Sequence, residues 1–332
     1  LEGHYTSTSV ACMILSQDGS KIVSAGHDQS IKVWNVEDGR NLASLQLDGH
    51  TGPPVLVQFS PDEGRVLASG GEDYTVRLWD PRSGKCLHVI DTEQETMYRF
   101  IFVLGGEQIV WGYYSGIVKM WDVATGSCVR TLEAHTARIS YLALSPNGQY
   151  MATMSRDGTA KIWDSATGVP GPVLKNANNT VGSDDSELVF SPNSLQIATT
   201  SGGHMRTIQL WDTKTGTARM VLSGHTDSIN KIVYAPDGQQ IASTSGDGSI
   251  RLWAMDARRS TNRQEKEPAR HTENNPKRDG DLIIWDLVTG TRRWRLRAHE
   301  GMLRFVGFSP DGSRLVTNGL DGTVRVWDLL AG

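Results

Sequence analysis

Five segments of the sequence carry a histidine, later a serine or threonine, an aspartate four residues after that, and a tryptophan six further on. They are His4/Ser24/Asp28/Trp34, His50/Ser69/Asp73/Trp79, His135/Thr153/Asp157/Trp163, His225/Ser243/Asp247/Trp253 and His299/Thr317/Asp321/Trp327. Serine, histidine and aspartate are the groups of a nucleophilic hydrolase, in which the base takes the hydroxyl proton and the acid orients the base. That chemistry needs a unique nucleophile beside one oxyanion hole, so a triad occurs once in a chain. A set repeated five times is a building device, and no catalytic residue is assigned from it.

The other chemistry-bearing residues are sparse. His27, His88, His204 and His271 have no Cys or His partners at ligand spacing, so neither a metal nor a cofactor is expected. Ser69-Gly70-Gly71 and Ser201-Gly202-Gly203 lack the following helix that a phosphate loop needs. Their glycines are expected to supply positive φ. Cys12, Cys86 and Cys128 are too scattered for a disulfide framework and read as reduced residues, mostly packed in strands. That favours an intracellular compartment, the cytoplasm first and the nucleus second. No apolar run approaches the roughly 18 residues of a membrane helix, and Leu1-Glu2-Gly3-His4 contains no signal-peptide core. The chain opens in mid-motif without a Met, as an excerpt of a longer protein would. A formal net charge of −4 gives no overall pull toward nucleic acid or anionic lipid.

Tryptophans at 34, 79, 121, 163, 211, 253, 285 and 327 set the period, with gaps of 45, 42, 42, 48, 42, 32 and 42 residues. Regular self-similarity in this range marks a repeat architecture. In the sixth unit Gly224-His225 opens and Ile229 to Tyr234 alternates in polarity. Ala235-Pro236-Asp237-Gly238 turns, Gln240 to Thr244 alternates, Asp247-Gly248 turns again, and Ser249 to Trp253 follows. Short period-2 runs with such punctuation read as antiparallel strands joined by tight turns. Another strand follows a Thr-Gly turn in most units, as after Thr167-Gly168, making four strands per unit.

These units resemble WD40 repeats over essentially the whole chain. Trp-Asp stands at 79–80, 121–122, 163–164, 211–212, 285–286 and 327–328, altered to Trp34-Asn35 and Trp253-Ala254. The resemblance implies an all-β propeller forming a single domain over residues 1–332, its blades radial around a central channel. It also implies that His, Ser/Thr, Asp and Trp hydrogen-bond in sequence inside each blade, where an orphaned member would cost about 1–3 kcal/mol.

The pattern frays in three places. The third unit has Glu93, Trp111 and Ser115 where His, Ser and Asp would stand. The fifth has no Asp-Gly and carries a polar insertion over 176–186. Both are expected to lack the internal tie and to be softer. Between Trp253 and Trp285 the polar stretch 255–280 reads as an exposed loop. Eight Trp-strand signatures therefore yield seven blades, one unit being truncated, with hairpin 281–297 completing the outer edge of the sixth. The alternative is a rudimentary eighth blade. The last unit stops before an outermost strand, which flanking sequence would supply if the ring closes fully.

The leading functional expectation is a non-catalytic scaffold that binds proteins or peptides on the face made by opening loops and second-to-third-strand turns. Carried over unit by unit, those positions give Arg138, Arg156, Tyr98, Tyr114, Glu72, His27, Met302 and Arg304. Arginine and aromatic residues make good interface anchors, and Arg138 and Arg156 suit an acidic or phosphorylated segment. For any single one, a solvated rim residue is the commoner outcome. Arg292-Arg293-Trp294-Arg295-Leu296-Arg297 could contact nucleic acid or an acidic partner. The preferred reading is an outermost strand kept soluble and unpaired by its charges. The alternatives are the sensor propeller of a multidomain NTPase, a ubiquitin-ligase substrate receptor, and, weakest, an enzyme with a central-channel site.

Overall fold

The computed structural model describes residues 10–16, 18–28, 30–43, 49–95, 99–175, 187–201, 205–254, 280–286, 291–299, 303–319 and 323–329. Its elements among the described residues are strands, with a 3-10 turn at Leu104–Gly106. They assemble into seven antiparallel-rich sheets, as the sequence led us to expect.

The first sheet runs Val10–Leu15, Lys21–Gly26, Ile31–Asn35, Asn41–Ala43, and the second Pro54–Phe59, Leu67–Gly71, Thr75–Trp79, Cys86–Asp91. The third is Phe100–Val103, Gln108–Gly112, Ile117–Asp122, Cys128–Glu133, and the fourth Ile139–Leu144, Tyr150–Ser155, Ala160–Asp164, Pro170–Leu174. The fifth is Leu188–Phe190, Gln196–Ser201, Thr207–Asp212, Ala218–Ser223. In these five, strands pair in chain order.

The sixth sheet has five strands: Ile229–Tyr234, Gln240–Ser245, Ser249–Ala254, Gly280–Asp286 and Thr291–His299. Hairpin 280–299 does complete its outer edge. Ser249–Ala254 and Gly280–Asp286 lie parallel, Ile250 opposite Leu282 and Trp253 opposite Trp285. The expected loop over 255–280 lies outside the described residues except for Gly280, which opens the fourth strand. The seventh sheet has three described strands, Leu303–Phe308, Arg314–Gly319 and Val324–Asp328.

Two compact units divide the chain, Leu1–Leu144 with Asp164–Val169, and Ser145–Trp163 with Pro170–Gly332. In the first unit, apolar residues of adjacent sheets make the core. Val23, Ile31 and Val33 pack with Val57, Phe59, Leu67 and Trp79, and Val76, Leu78 and Ile90 with Phe100, Phe102, Ile109 and Trp111. In the second unit Ile208, Leu210 and Leu222 meet Ile229, Ile232, Ile241 and Trp253, and Ala242, Ile250 and Leu252 meet Val306 and Leu315.

The second strands explain their own composition. Tyr150–Ser155 and Gln240–Ser245 are buried at every position after the first, with sequences YMATMS and QIASTS. A strand covered on both faces loses the polar alternation of a half-buried one, and close sheets favour its small residues. Outermost strands such as Cys128–Glu133 are almost wholly exposed. Cys128 is accordingly exposed, while Cys12 and Cys86 are half-buried.

Candidate functional site

The second sheet shows one complete repeated set. Trp79 Nε1–H donates to Ser69 Oγ at 2.8 Å. The Ser69 hydroxyl donates to His50 Nε2 at 2.7 Å, and His50 Nδ1–H donates to Asp73 at 2.9 and 3.0 Å. The sixth sheet repeats this geometry, Trp253 to Ser243 at 2.9 Å, Ser243 to His225 at 2.8 Å, and His225 to Asp247 at 2.9 Å. The network fixes the tautomer: an aspartate can only accept, so Nδ1 carries the proton and Nε2 accepts from the serine. The relay runs one way and satisfies every member.

Electrostatics agree with a neutral imidazole. Burial holds His50 and His225 below the ordinary histidine value, against the opposing pull of Asp73 and Asp247. Burial pushes the Asp247 carboxyl up. The bonds and charge from His225, with those from Ser249 and the Thr226 N–H, outweigh it and hold the group well below the carboxylate range. Asp73 is likewise lowered despite burial, through Thr75, the Thr51 N–H and His50.

Each aspartate also closes the turn that follows. Thr75 N–H and Oγ1 donate to Asp73 at 3.1 and 2.8 Å. Ser249 does the same to Asp247 at 2.8 and 2.6 Å, and Thr159 to Asp157 at 2.9 and 2.6 Å. This hydroxyl two residues after the aspartate was missed in the sequence, although its spacing is constant. So was the arginine two before the tryptophan: Arg77 lies 6.0 Å above the Trp79 ring and Arg251 6.0 Å above Trp253. A Cβ on Gly49 or Gly224 would approach the Arg77 or Arg251 guanidinium, the movable end of a long side chain.

The other sets are seen in part. Trp34 donates to Ser24 at 2.8 Å, Trp163 to Thr153 at 2.9 Å and Trp327 to Thr317 at 3.0 Å. Asp28 accepts from Ser30 N–H and Oγ at 3.1 and 2.8 Å. His135 is buried and belongs to the first unit, whereas Thr153, Asp157 and Trp163 belong to the second. His299 ends strand Thr291–His299, opposite Gly280. His4 and Asp321 lie outside the described residues.

Three expectations need correction. Gly71 does not supply positive φ; it sits in an extended strand, where a Cβ would come within 2.6 Å of His50 Nδ1 and 2.7 Å of Asp73 Oδ1. Gly70 is likewise extended, and Gly202 and Gly203 lie outside the described residues. The fifth sheet keeps half the tie, with Trp211 Nε1–H donating to Thr199 Oγ1 at 2.9 Å; its insertion over 176–186 lies outside the described residues. In the third sheet it is Glu95, two residues past the expected Glu93, whose carboxylate accepts from Ser115 N–H and Oγ at 3.2 and 3.0 Å. Left-handed backbone at Glu93 and Gln94 makes that offset. Glu93 pairs with Lys119. Trp111, in the serine position, stacks on Trp121 at 5.2 Å between ring centroids.

Among the proposed partner-binding residues, the structure brings Arg138 and Tyr114 together, the guanidinium 4.3 Å from the ring centroid. Tyr114 is 46% exposed. In the same unit Arg99 lies 4.9 Å over the Tyr141 ring, a pair the sequence did not single out. Glu72 and His27 are exposed at second-to-third-strand turns of the second and first sheets. Arg156 is exposed at the corresponding turn in the second unit. Arg304 lies in strand Leu303–Phe308, and Tyr98 and Met302 lie outside the described residues. Among the described residues no group of three His, Cys, Asp or Glu could hold a metal ion, and no helix is long and apolar enough to cross a membrane.

The family model "WD domain, G-beta repeat" matches residues 1–35, 40–80, 126–164, 216–254 and 290–328, more than half of the chain. It passes over the third and fifth units, where the sequence pattern frays. Autophagy-related protein 16 of Arabidopsis thaliana is 25% identical over 48% of this chain and 32% of its own length. Protein groucho of Drosophila melanogaster is 44% identical over 16% of the chain and 7% of its own length. The guanine nucleotide-binding protein subunit beta of Zea mays is 24% identical over 38% and 39%. The chain thus spans well under half the length of these curated relatives. With seven blade sheets and Trp–Ser/Thr ties in six of them, this all-β chain belongs to the WD40 family of seven-bladed propellers.

Proposed function

We propose that the chain is a non-catalytic interaction scaffold that binds segments of other proteins on the surface made by its opening loops and second-to-third-strand turns. The observation that carries this reading is the internal use of its only recurring triad-like groups. In the second and sixth sheets each serine hydroxyl lies between a tryptophan N–H and a histidine, buried, so it is not presented to a substrate. An enzyme must be argued from a site, and these sets do not supply one. The turns instead present Tyr114 stacked with Arg138, an aromatic–arginine pair of the kind that anchors interfaces.

The partner chemistry that fits is an acidic or phosphorylated segment, since arginine offers forked, charge-assisted hydrogen bonds. Free cysteines suit a reducing, intracellular compartment. The broader setting is a sensor propeller of a multidomain NTPase or a ubiquitin-ligase substrate receptor, in keeping with relatives much longer than the matched part.

Charge reversal tests the surface. Arg138→Glu and Arg156→Glu, singly and together, should reduce partner recovery from lysate at least about tenfold, a loss of about 1.4 kcal/mol of binding free energy. Unchanged recovery by folded variants would remove these residues from the interface.

A further inference from the structure

We infer that the outer edge of the sixth sheet is a second docking surface, distinct from the turns, and that its occupant is an extended acidic segment of another protein added as a further β-strand. Among the described residues the sheet ends at Thr291–His299, which pairs on one side with Gly280–Asp286. An edge strand leaves one row of N–H and C=O groups to pair with a newcomer. At nine residues this is the longest strand described.

Its composition sets it apart from the equivalent strands of other sheets. It holds Arg292, Arg293, Arg295 and Arg297 with no Asp or Glu. The outermost strands Cys86–Asp91, Cys128–Glu133, Pro170–Leu174 and Ala218–Ser223 hold at most one Lys or Arg each. The one in Ala218–Ser223, Arg219, is bonded to Asp212. In the partner strand Asp281 stands opposite Arg297, but Arg295 stands opposite Ile283 and Arg292 opposite Trp285. Arg293 falls at a register shift. This concentration runs against a chain whose formal net charge is −4.

Like charges keep two copies of such an edge apart. The same charges favour a strand of opposite sign, since cross-strand ion pairs are favourable. Arg295 and Arg297 are two positions apart, about 6.8 Å along a strand, which is also the repeat of alternate side chains on an incoming strand. Main-chain bonds would supply affinity, and carboxylates at alternate positions the specificity. A nucleic acid would answer the charge but not the open backbone.

The test uses the whole chain and a labelled, capped nine-residue peptide of alternating Glu and Thr, read by fluorescence anisotropy at about 0.15 M salt. Two further peptides carry N-methyl groups on all Glu amides or on all Thr amides, which keeps the charge and removes one row of donors. The expected results are saturable binding of the parent and a loss of at least about tenfold for one N-methylated peptide. A similar loss is expected for Arg295→Glu/Arg297→Glu, with Arg65→Glu, at an exposed position between Pro54–Phe59 and Leu67–Gly71 and outside both surfaces, leaving this affinity unchanged. Arg295→Gln/Arg297→Gln replaces the Glu pair should that variant fail to fold, as judged by circular dichroism. The proposal is overturned if the parent peptide does not bind or if both N-methylated peptides bind equally well. It is also overturned if neither arginine pair matters, or if single-stranded DNA of matched charge binds more tightly.

Discussion

Replacing Asp247 by Asn keeps the side chain's shape and isolates its acceptor capacity. Oδ1 takes two donors from Ser249, N–H at 2.8 Å and Oγ at 2.6 Å. Oδ2 takes two more, His225 Nδ1 and Thr226 N–H, both at 2.9 Å. An asparagine offers one acceptor oxygen, so in either flip its amide nitrogen confronts two donors. Two hydrogen bonds to a charged acceptor are lost, each worth about 1.5–3 kcal/mol. Because the side chain is only 9% exposed, solvent replaces little of that. The expected loss is about 3 kcal/mol, near the lower sum because the surviving pair can shift to meet the amide. Urea unfolding measures it as a lowered midpoint at unchanged slope. Ser115→Ala, at an exposed position, should change stability by no more than about 0.5 kcal/mol. If Asp247→Asn falls within that same margin of wild type, the relay does not fasten the sheet and the argument from it fails.

Acid should destabilise the fold in two stages. His50 and His225 are held below their ordinary value, so from about pH 6.5 downward the unfolded chain binds protons that the folded one refuses, and stability falls as pH falls. Urea midpoints at pH 7.5 and 5 should show the drop, and His50→Gln/His225→Gln should shrink it. Asp73 and Asp247 are also lowered, so their contribution is present above pH 3.8 and is lost on further acidification. Gly71→Ala should cost about 1–3 kcal/mol by overpacking and, by prising His50 from Asp73, change the His50 ring signals in NMR. Trp111→Ala should cost about 3–5 kcal/mol, because a fully buried ring leaves a cavity, measured by the same urea titration.

The repeat period, the blade count and the inward use of His50 and His225 were legible in the sequence. Phase carries that information: a tryptophan every 42 residues or so fixes where each third strand lies. The parallel pairing of Ser249–Ala254 with Gly280–Asp286 was not legible, because strand direction after a long connection is set by tertiary packing and not by local pattern. Glu95 was missed for a backbone reason. Two consecutive left-handed residues, Glu93 and Gln94, shift the carboxylate that reaches the turn, and neither is a glycine that would announce the bend. The arginine–aromatic pairs were half legible: the turn positions of Arg138 and Tyr114 could be carried over, but the stacking of Arg99 on Tyr141 depends on the placement of two strands.

The second and third sheets show that the fastening is a question of volume as much as of hydrogen bonding. Gly71 stands eight residues before Trp79, and Tyr113 stands eight before Trp121. The space a Cβ on Gly71 would enter is filled by His50 and Asp73. The sixth sheet fits a small side chain there, Ser245 eight before Trp253, beside an intact His225 relay, whereas the third sheet carries the much larger, buried Tyr113 at that place and no histidine. Ser69 is small because its hydroxyl must sit between two rings; once the histidine is gone, that constraint lapses. Trp111 can then occupy the position and stack on Trp121, with Tyr113 6.4 Å away edge-on and Lys119 5.5 Å over the tyrosine ring. The two solutions are mutually exclusive at each sheet, a directional polar relay or an aromatic stack. Restoring the histidine alone to the third sheet would meet Tyr113 and should destabilise; only together with Tyr113→Gly, Trp111→Ser and Ser115→Asp could it join a relay. A polar set that can be exchanged wholesale for packed rings within one chain is serving the sheets' cohesion, which is why the working surfaces of this protein must be sought at its turns and edges.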